Sequence, residues 1–137
     1  MDNWKICWFK DYLCTAGEGG RVSIFDDESP IFSVENSFAS CITSNNQSIA
    51  IGTDSGSLHI IEDPLSKRKL HQKKSHKRMI RSVKFSNDGI KAYTASDDGE
   101  IKLTDLMKMK EIKSFGKGLP VNSLDVCPTD DKLIVSW

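Results

Sequence analysis

Short runs of alternating apolar and polar residues recur along the chain, and clusters of turn-forming residues separate them. Three segments align without forcing: Thr15–Asp26, Ile51–Glu62 and Thr94–Asp105. In each, a run of small residues enters a turn closed by glycine (Gly20, Gly56, Gly99), and an alternating strand follows and ends on an acidic residue. Glycine supplies the left-handed backbone conformation that a tight hairpin turn demands. Val22 and Ile24, Leu58 and Ile60, and Ile101 and Leu103 stand at period two, which places each pair on one buried face of a strand.

A further strand is predicted before each hairpin, over Trp4–Phe9, Phe38–Ser44 and Met79–Ser86, and Val121–Pro128 opens a fourth unit. Ser44–Gln47 and Ser86–Gly89 read as turns leading into the next strand. Weaker outer strands are predicted over Pro30–Asn36 and Lys110–Gly116. No segment carries a helical stripe. Four short strands in each unit of about 40 residues is the arithmetic of a propeller blade. The fold class expected is all-β: a partial β-propeller of four-stranded antiparallel blades. The blades are expected at 4–36, 38–74 and 75–116, with an incomplete fourth at 120–137.

With 137 residues, 38% of them hydrophobic and 28% charged, the chain has the composition of an ordinary folded protein. No apolar run nears the roughly 20 residues a membrane-spanning helix needs, and no membrane partner is expected. The N-terminus lacks the basic and apolar segments of a secretory signal. Cys7, Cys14, Cys41 and Cys127 have neither CxxC spacing nor clustered histidines, so they read as wholly or partly buried thiols of a reducing compartment. An intracellular location, cytoplasmic or nuclear, follows.

Nineteen basic residues balance nineteen acidic ones, yet the charges are segregated. Residues 1–66 hold three basic against ten acidic residues, whereas 67–78 hold seven basic residues and no acidic ones. That run contains Lys67, Arg68, Lys69, Lys73, Lys74, Lys77 and Arg78, in two clusters. It reads in three ways: lysines blunting an exposed sheet edge, a nuclear-targeting signal, or contacts to the phosphates of RNA. The absence of any aromatic residue within it weakens base stacking.

The residues of the third unit resemble the WD-repeat β-propeller family. Ser75-His76 stands in for the family's Gly-His pair, Met79–Gly89 for its innermost strand and turn, and Thr94–Asp105 for its Ser-Gly-Ser-x-Asp-Gly hairpin with terminal Trp-Asp. The resemblance implies blade-fastening roles for His76, Thr94 and Asp98, with Asp105 and, in the first unit, Asp26 at the terminal acidic position. Thr104, Phe25 and Ile61 occupy the position of the family's tryptophan. The blades are therefore expected to rest more on apolar packing than on a polar network.

What the resemblance implies for function is non-enzymatic protein–protein recognition, through loops such as those around Lys77–Met79 and Lys117–Pro120. The partners it implies are other proteins of a multi-subunit complex. The segment Arg81–Asp105 and the residues before it look somewhat like nucleolar members that serve ribosome assembly. The alternative is an RNA-associated component acting through 67–78.

No catalytic, cofactor or metal site is expected. Asp97-Asp98 and Asp130-Asp131 fall in turns, His59 alternates with Leu58 and Ile60 on a strand without a metal-ligand motif, and Gly17–Gly20 opens a strand rather than a phosphate-binding helix. Trp4 and Trp8 share a strand face and read as core or interface filling. Three blades and a fraction predict a piece of a longer propeller, ahead of completion by a second copy or another protein, and of an open stack. In the latter cases Leu133, Ile134, Val135 and Trp137 form the docking edge for self-association or another protein.

Overall fold

A computed structural model describes residues 5–16, 21–24, 32–33, 38–66, 69–116, 118–129 and 132–136. Among them there is no helix, and they form fourteen strands in four antiparallel sheets. The first sheet holds β1 (Lys5–Phe9), β2 (Tyr12–Ala16), β3 (Arg21–Ile24) and β4 (Phe32–Ser33), in that order. The second holds β5 (Ala39–Ser44), β6 (Ser48–Thr53), β7 (Ser57–Glu62) and β8 (Lys69–Lys74). The third holds β9 (Ile80–Phe85), β10 (Lys91–Ser96), β11 (Glu100–Asp105) and β12 (Lys110–Gly116), and β13 (Ser123–Val126) pairs with β14 (Leu133–Ser136). β1 packs on β5, β5 on β9 and β9 on β13, so the first strands of successive sheets stand side by side. This is the arrangement of propeller blades.

Local chemistry sets the turns. Asn45 Oδ1 accepts the amides of Gln47 (2.9 Å) and Ser48 (2.8 Å), folding the chain from β5 into β6. Asp88 does the same before β10, accepting the Ile90 amide at 3.1 Å. Gly56 and Gly99 close their hairpins at φ +90° and +85°, where a side chain is strained.

The core lies between the blades, in three layers. Phe9, Cys14, Ala16 and Val22 of blade one meet Ala39, Ile49, Ile51 and Ile61 of blade two. The other face of blade two sends Ala50, Leu58 and Ile60 against Ile80 and Val83. Ala95 and Ile101 then meet Val121 and Leu124, with Leu133 and Val135 at the margin. Blade two is thus covered on both faces, and every residue of β6 is buried. Its burial follows no period-two rhythm because neither face meets water. Burying Leu58, Ile60 and Ile61 contributes about 1.5–3 kcal/mol each.

Some expectations are corrected. Leu103 is only partly buried, because β12 beyond it is exposed throughout. Trp8 is 65% exposed beside Ile6 at 64%, on the face of β1 turned away from blade two, and so does not fill the core. Trp4, Gly20, Asp26, Lys67, Arg68, Lys117, Asp130, Asp131 and Trp137 lie outside the described residues.

Candidate interaction face

The loop 75–79, between β8 and β9, begins on its neighbour. Gly56 O, in the β6–β7 turn, accepts the amides of Ser75 (3.0 Å) and His76 (2.9 Å). His76 is thereby buried, 2% exposed, with its ring turned into blade three. Nδ1 lies 3.0 Å from Asp98 Oδ2 and Nε2 lies 2.8 Å from Thr94 Oγ1. Burial holds the imidazole below its ordinary pKa against the pull of Asp98. The ring is then neutral: Nδ1–H donates to the carboxylate and the Thr94 hydroxyl donates to Nε2. Burial also works against ionisation of Asp98, but the amides of Glu100 and Lys77 and the imidazole outweigh it and hold its pKa low.

Asp98 therefore does more than fasten His76. It accepts the Lys77 amide at 3.1 Å, while Ser96 Oγ donates to Arg78 O (3.2 Å) and the Asp97 amide to Met79 O (3.0 Å). The backbone of 77–79 is pinned at three successive residues, and the Lys77 and Arg78 side chains stand exposed above it. Beside them Arg81 makes a forked contact with Asp97, Nε to Oδ1 at 2.7 Å and Nη2 to Oδ2 at 2.9 Å. The hydrogen bond lowers the Asp97 pKa and raises that of Arg81. Asp54, Arg78, Met79, Arg81, Asp97, Pro120 and Asn122 line a wide depression of about 560 Å³. Leu119, 56% exposed, stands in the same loop as Pro120. The pair Arg81–Asp97 escapes sequence reasoning because its members are 16 positions apart and match no motif; their placement on β9 and in the β10–β11 turn is the only signal.

The other sequence-derived candidates scatter. Asp105 caps the turn after β11, accepting the amides of Met107 (2.9 Å) and Lys108 (3.1 Å). Thr104 is fully buried, with its Oγ1 lacking a hydrogen-bond partner. The basic run divides: Lys69, Lys73 and Lys74 lie on β8, the outer strand of blade two, and Lys77 and Arg78 in the pinned loop. On β8, His71 Nε2 pairs with Glu62 at 2.9 Å, and Lys74 Nζ donates to Ser55 O. On β14, Leu133 and Val135 turn toward blade three and Ile134 is 69% exposed. His76, Asp98 and Glu100 bring donor atoms within 4.8 Å of one another. Both ring nitrogens are engaged inside the blade, so the trio is a fastening rather than a vacant ligand set.

A family model described as the Vps42 β-propeller matches residues 21–135. Two curated relatives are eukaryotic translation initiation factor 3 subunit I proteins. That of Bombyx mori is 32% identical over 90 residues, covering 66% of this chain and 27% of the relative. That of Nematostella vectensis is 31% identical over 127 residues, covering 87% and 39%. The chain therefore spans well under half the length of these relatives. Among solved structures, a chain of the mitotic checkpoint complex superposes with a TM-score of 0.80 at 17% identity, over 95% of this chain and 42% of that one. The computationally designed Ika8 protein gives 0.79 at 15% identity, over 96% and 41%.

Proposed function

The chain belongs to the Vps42 β-propeller family, and on that premise we propose that it is a non-enzymatic platform for protein recognition within a multi-subunit complex. The observation that carries this reading is the pinned loop 77–79. Its backbone is fixed by Asp98, Ser96 and Asp97 before any partner arrives, so docking on Lys77, Arg78 and the neighbouring Leu119–Pro120 costs little ordering entropy. The initiation-factor relatives are subunits, and the checkpoint structure is a complex, which supports an assembly role.

The test is affinity capture of the whole chain with and without ribonuclease, from about 50 to 200 mM salt. The expected result is a reproducible set of proteins, insensitive to ribonuclease and lost in the Lys77→Glu/Arg78→Glu variant. Capture that vanishes with ribonuclease and falls steeply with salt overturns this reading in favour of RNA bound through 67–78. Exposure of Lys69 and Lys74 on β8 is the observation behind that second reading. Nuclear targeting by the same run, and with it a ribosome-assembly setting, is tested by deleting 67–74; unchanged nuclear accumulation removes it. Pairing of β14 with a further strand, from a second copy or another polypeptide, is a companion proposal read by sedimentation.

A further inference from the structure

Cys7 and Cys14 face each other across the β1–β2 hairpin, in register as Cα partners. Directly opposed residues of an antiparallel pair lie about 4.5–5.5 Å apart at Cα, inside the roughly 4.4–6.8 Å range that a disulfide spans. Being directly opposed, their side chains project from the same face of the hairpin. Cys14 is fully buried, whereas Cys7 is partly open. The other two cysteines have no such mate. Cys41 stands opposite Gly52 and points its sulfur at Ile80 O (3.7 Å), and Cys127 lies against Thr129 Oγ1 (3.4 Å).

We propose that Cys7 and Cys14 are a peroxide-responsive dithiol that closes to an intramolecular disulfide across the first hairpin. The Cys7 sulfur attacks one peroxide oxygen, breaking the O–O bond and releasing water as its own proton passes to the leaving oxygen. The Cys14 sulfur then displaces hydroxide from the sulfenic acid, and with the Cys14 proton it leaves as the second water. Two thiols and one hydrogen peroxide become one disulfide and two waters.

The environment divides the roles. The hydrogen bond from Cys14, helped by Ser44 against the effect of burial, lowers the Cys7 pKa and favours the attacking thiolate. The same bond and burial raise that of Cys14, which keeps its proton until the second step. Burial pushes the Cys41 thiol up to about 12, out of competition.

Lys10 lies between the two cysteines, so trypsin separates them into Ile6–Lys10 and Asp11–Arg21. After brief hydrogen peroxide treatment of the folded chain, mass spectrometry is expected to find these peptides joined and released by dithiothreitol. The link is expected to form at least about tenfold faster than in the urea-unfolded chain. In Cys14→Ser, dimedone is expected to label Cys7 ahead of Cys41 and Cys127. Peroxide that leaves both thiols free, oxidises all four cysteines evenly, or links the pair no faster in the folded chain overturns the proposal. If circular dichroism shows Cys14→Ser unfolded, the wild-type peptide kinetics decide alone.

Discussion

Blades two and three build the same hairpin from opposite chemistries. Where blade three has Thr94, Asp98 and Thr104, blade two has Ile51, Ser55 and Ile61 at the aligned positions. In blade two, Ile51 and Ile61 are buried against blade one; Thr53 Oγ1 accepts the Ser57 amide at 3.0 Å, and Asp54 reaches back 16 residues to accept the Phe38 amide at 2.9 Å. In blade three the tie reaches back 22 residues, from Asp98 to His76. In blade two, apolar packing at Ile51 takes the place that Thr94 fills in the blade-three fastening. A polar fastening appears where a loop has to be fixed and still presented to solvent. The network holds the exposed loop 77–79 more than it fills the core.

The largest effect is expected at the turn glycines. A Cβ on Gly56 would come within 2.1 Å of His76 O and 2.8 Å of Arg78 O, whereas on Gly99 the nearest backbone atom stands at 2.9 Å. Gly56→Ala is expected to lose more than about 3 kcal/mol in urea unfolding, and Gly99→Ala about half that. Equal losses would mean that the blade-two turn does not carry the blade-three loop.

Next, Ile51→Thr plants the blade-three residue in blade two without an imidazole to meet it. A loss of about 2 kcal/mol is expected from the stranded hydroxyl and the lost apolar contact. His76→Ala is expected to lower Tm by less than about 8 °C, since Asp98 keeps two backbone amides. A larger fall would put the polar fastening ahead of packing.

His76 also carries a pH signature. Its folded pKa is depressed, so the unfolded chain binds the extra proton; stability is full above about pH 6.5 and falls as pH drops through the window below. Asp98, also depressed, adds a second loss below about 3.8. Chemical denaturation across pH is expected to show a shallower first loss in His76→Ala. It does not vanish, because burial depresses His59 in the same direction. The smallest effect is expected at Thr104→Val, which removes an unpartnered buried hydroxyl at nearly constant volume and raises stability by up to about 1 kcal/mol.

The hairpins were legible because glycine turns and period-two pairs are local signals: Leu58, Ile60 and Ile101 are all buried, and the residues of β12 coincide with the outer strand predicted at Lys110–Gly116. His76, Asp98 and Thr94 were legible only through the family resemblance, since no period links positions 76, 94 and 98. What the sequence hides is set by neighbours. Whether Trp8 is covered depends on what packs against β1, and Ile61 is buried because blade one lies over it. The inter-blade ties are equally silent: Ser40 Oγ donates to Ile80 O at 2.5 Å across 40 residues, and Asn87 Nδ2 to Cys127 O at 2.7 Å across another 40.

The double acceptor at Gly56 O has a consequence for how the array comes apart. The amides of Ser75 and His76 belong to blade three by sequence but are sheltered by a carbonyl of blade two. Their release from hydrogen exchange protection therefore follows the opening of the preceding blade. The cooperative units of this stack overlap its geometric ones, like roof tiles each held down by the course beside it.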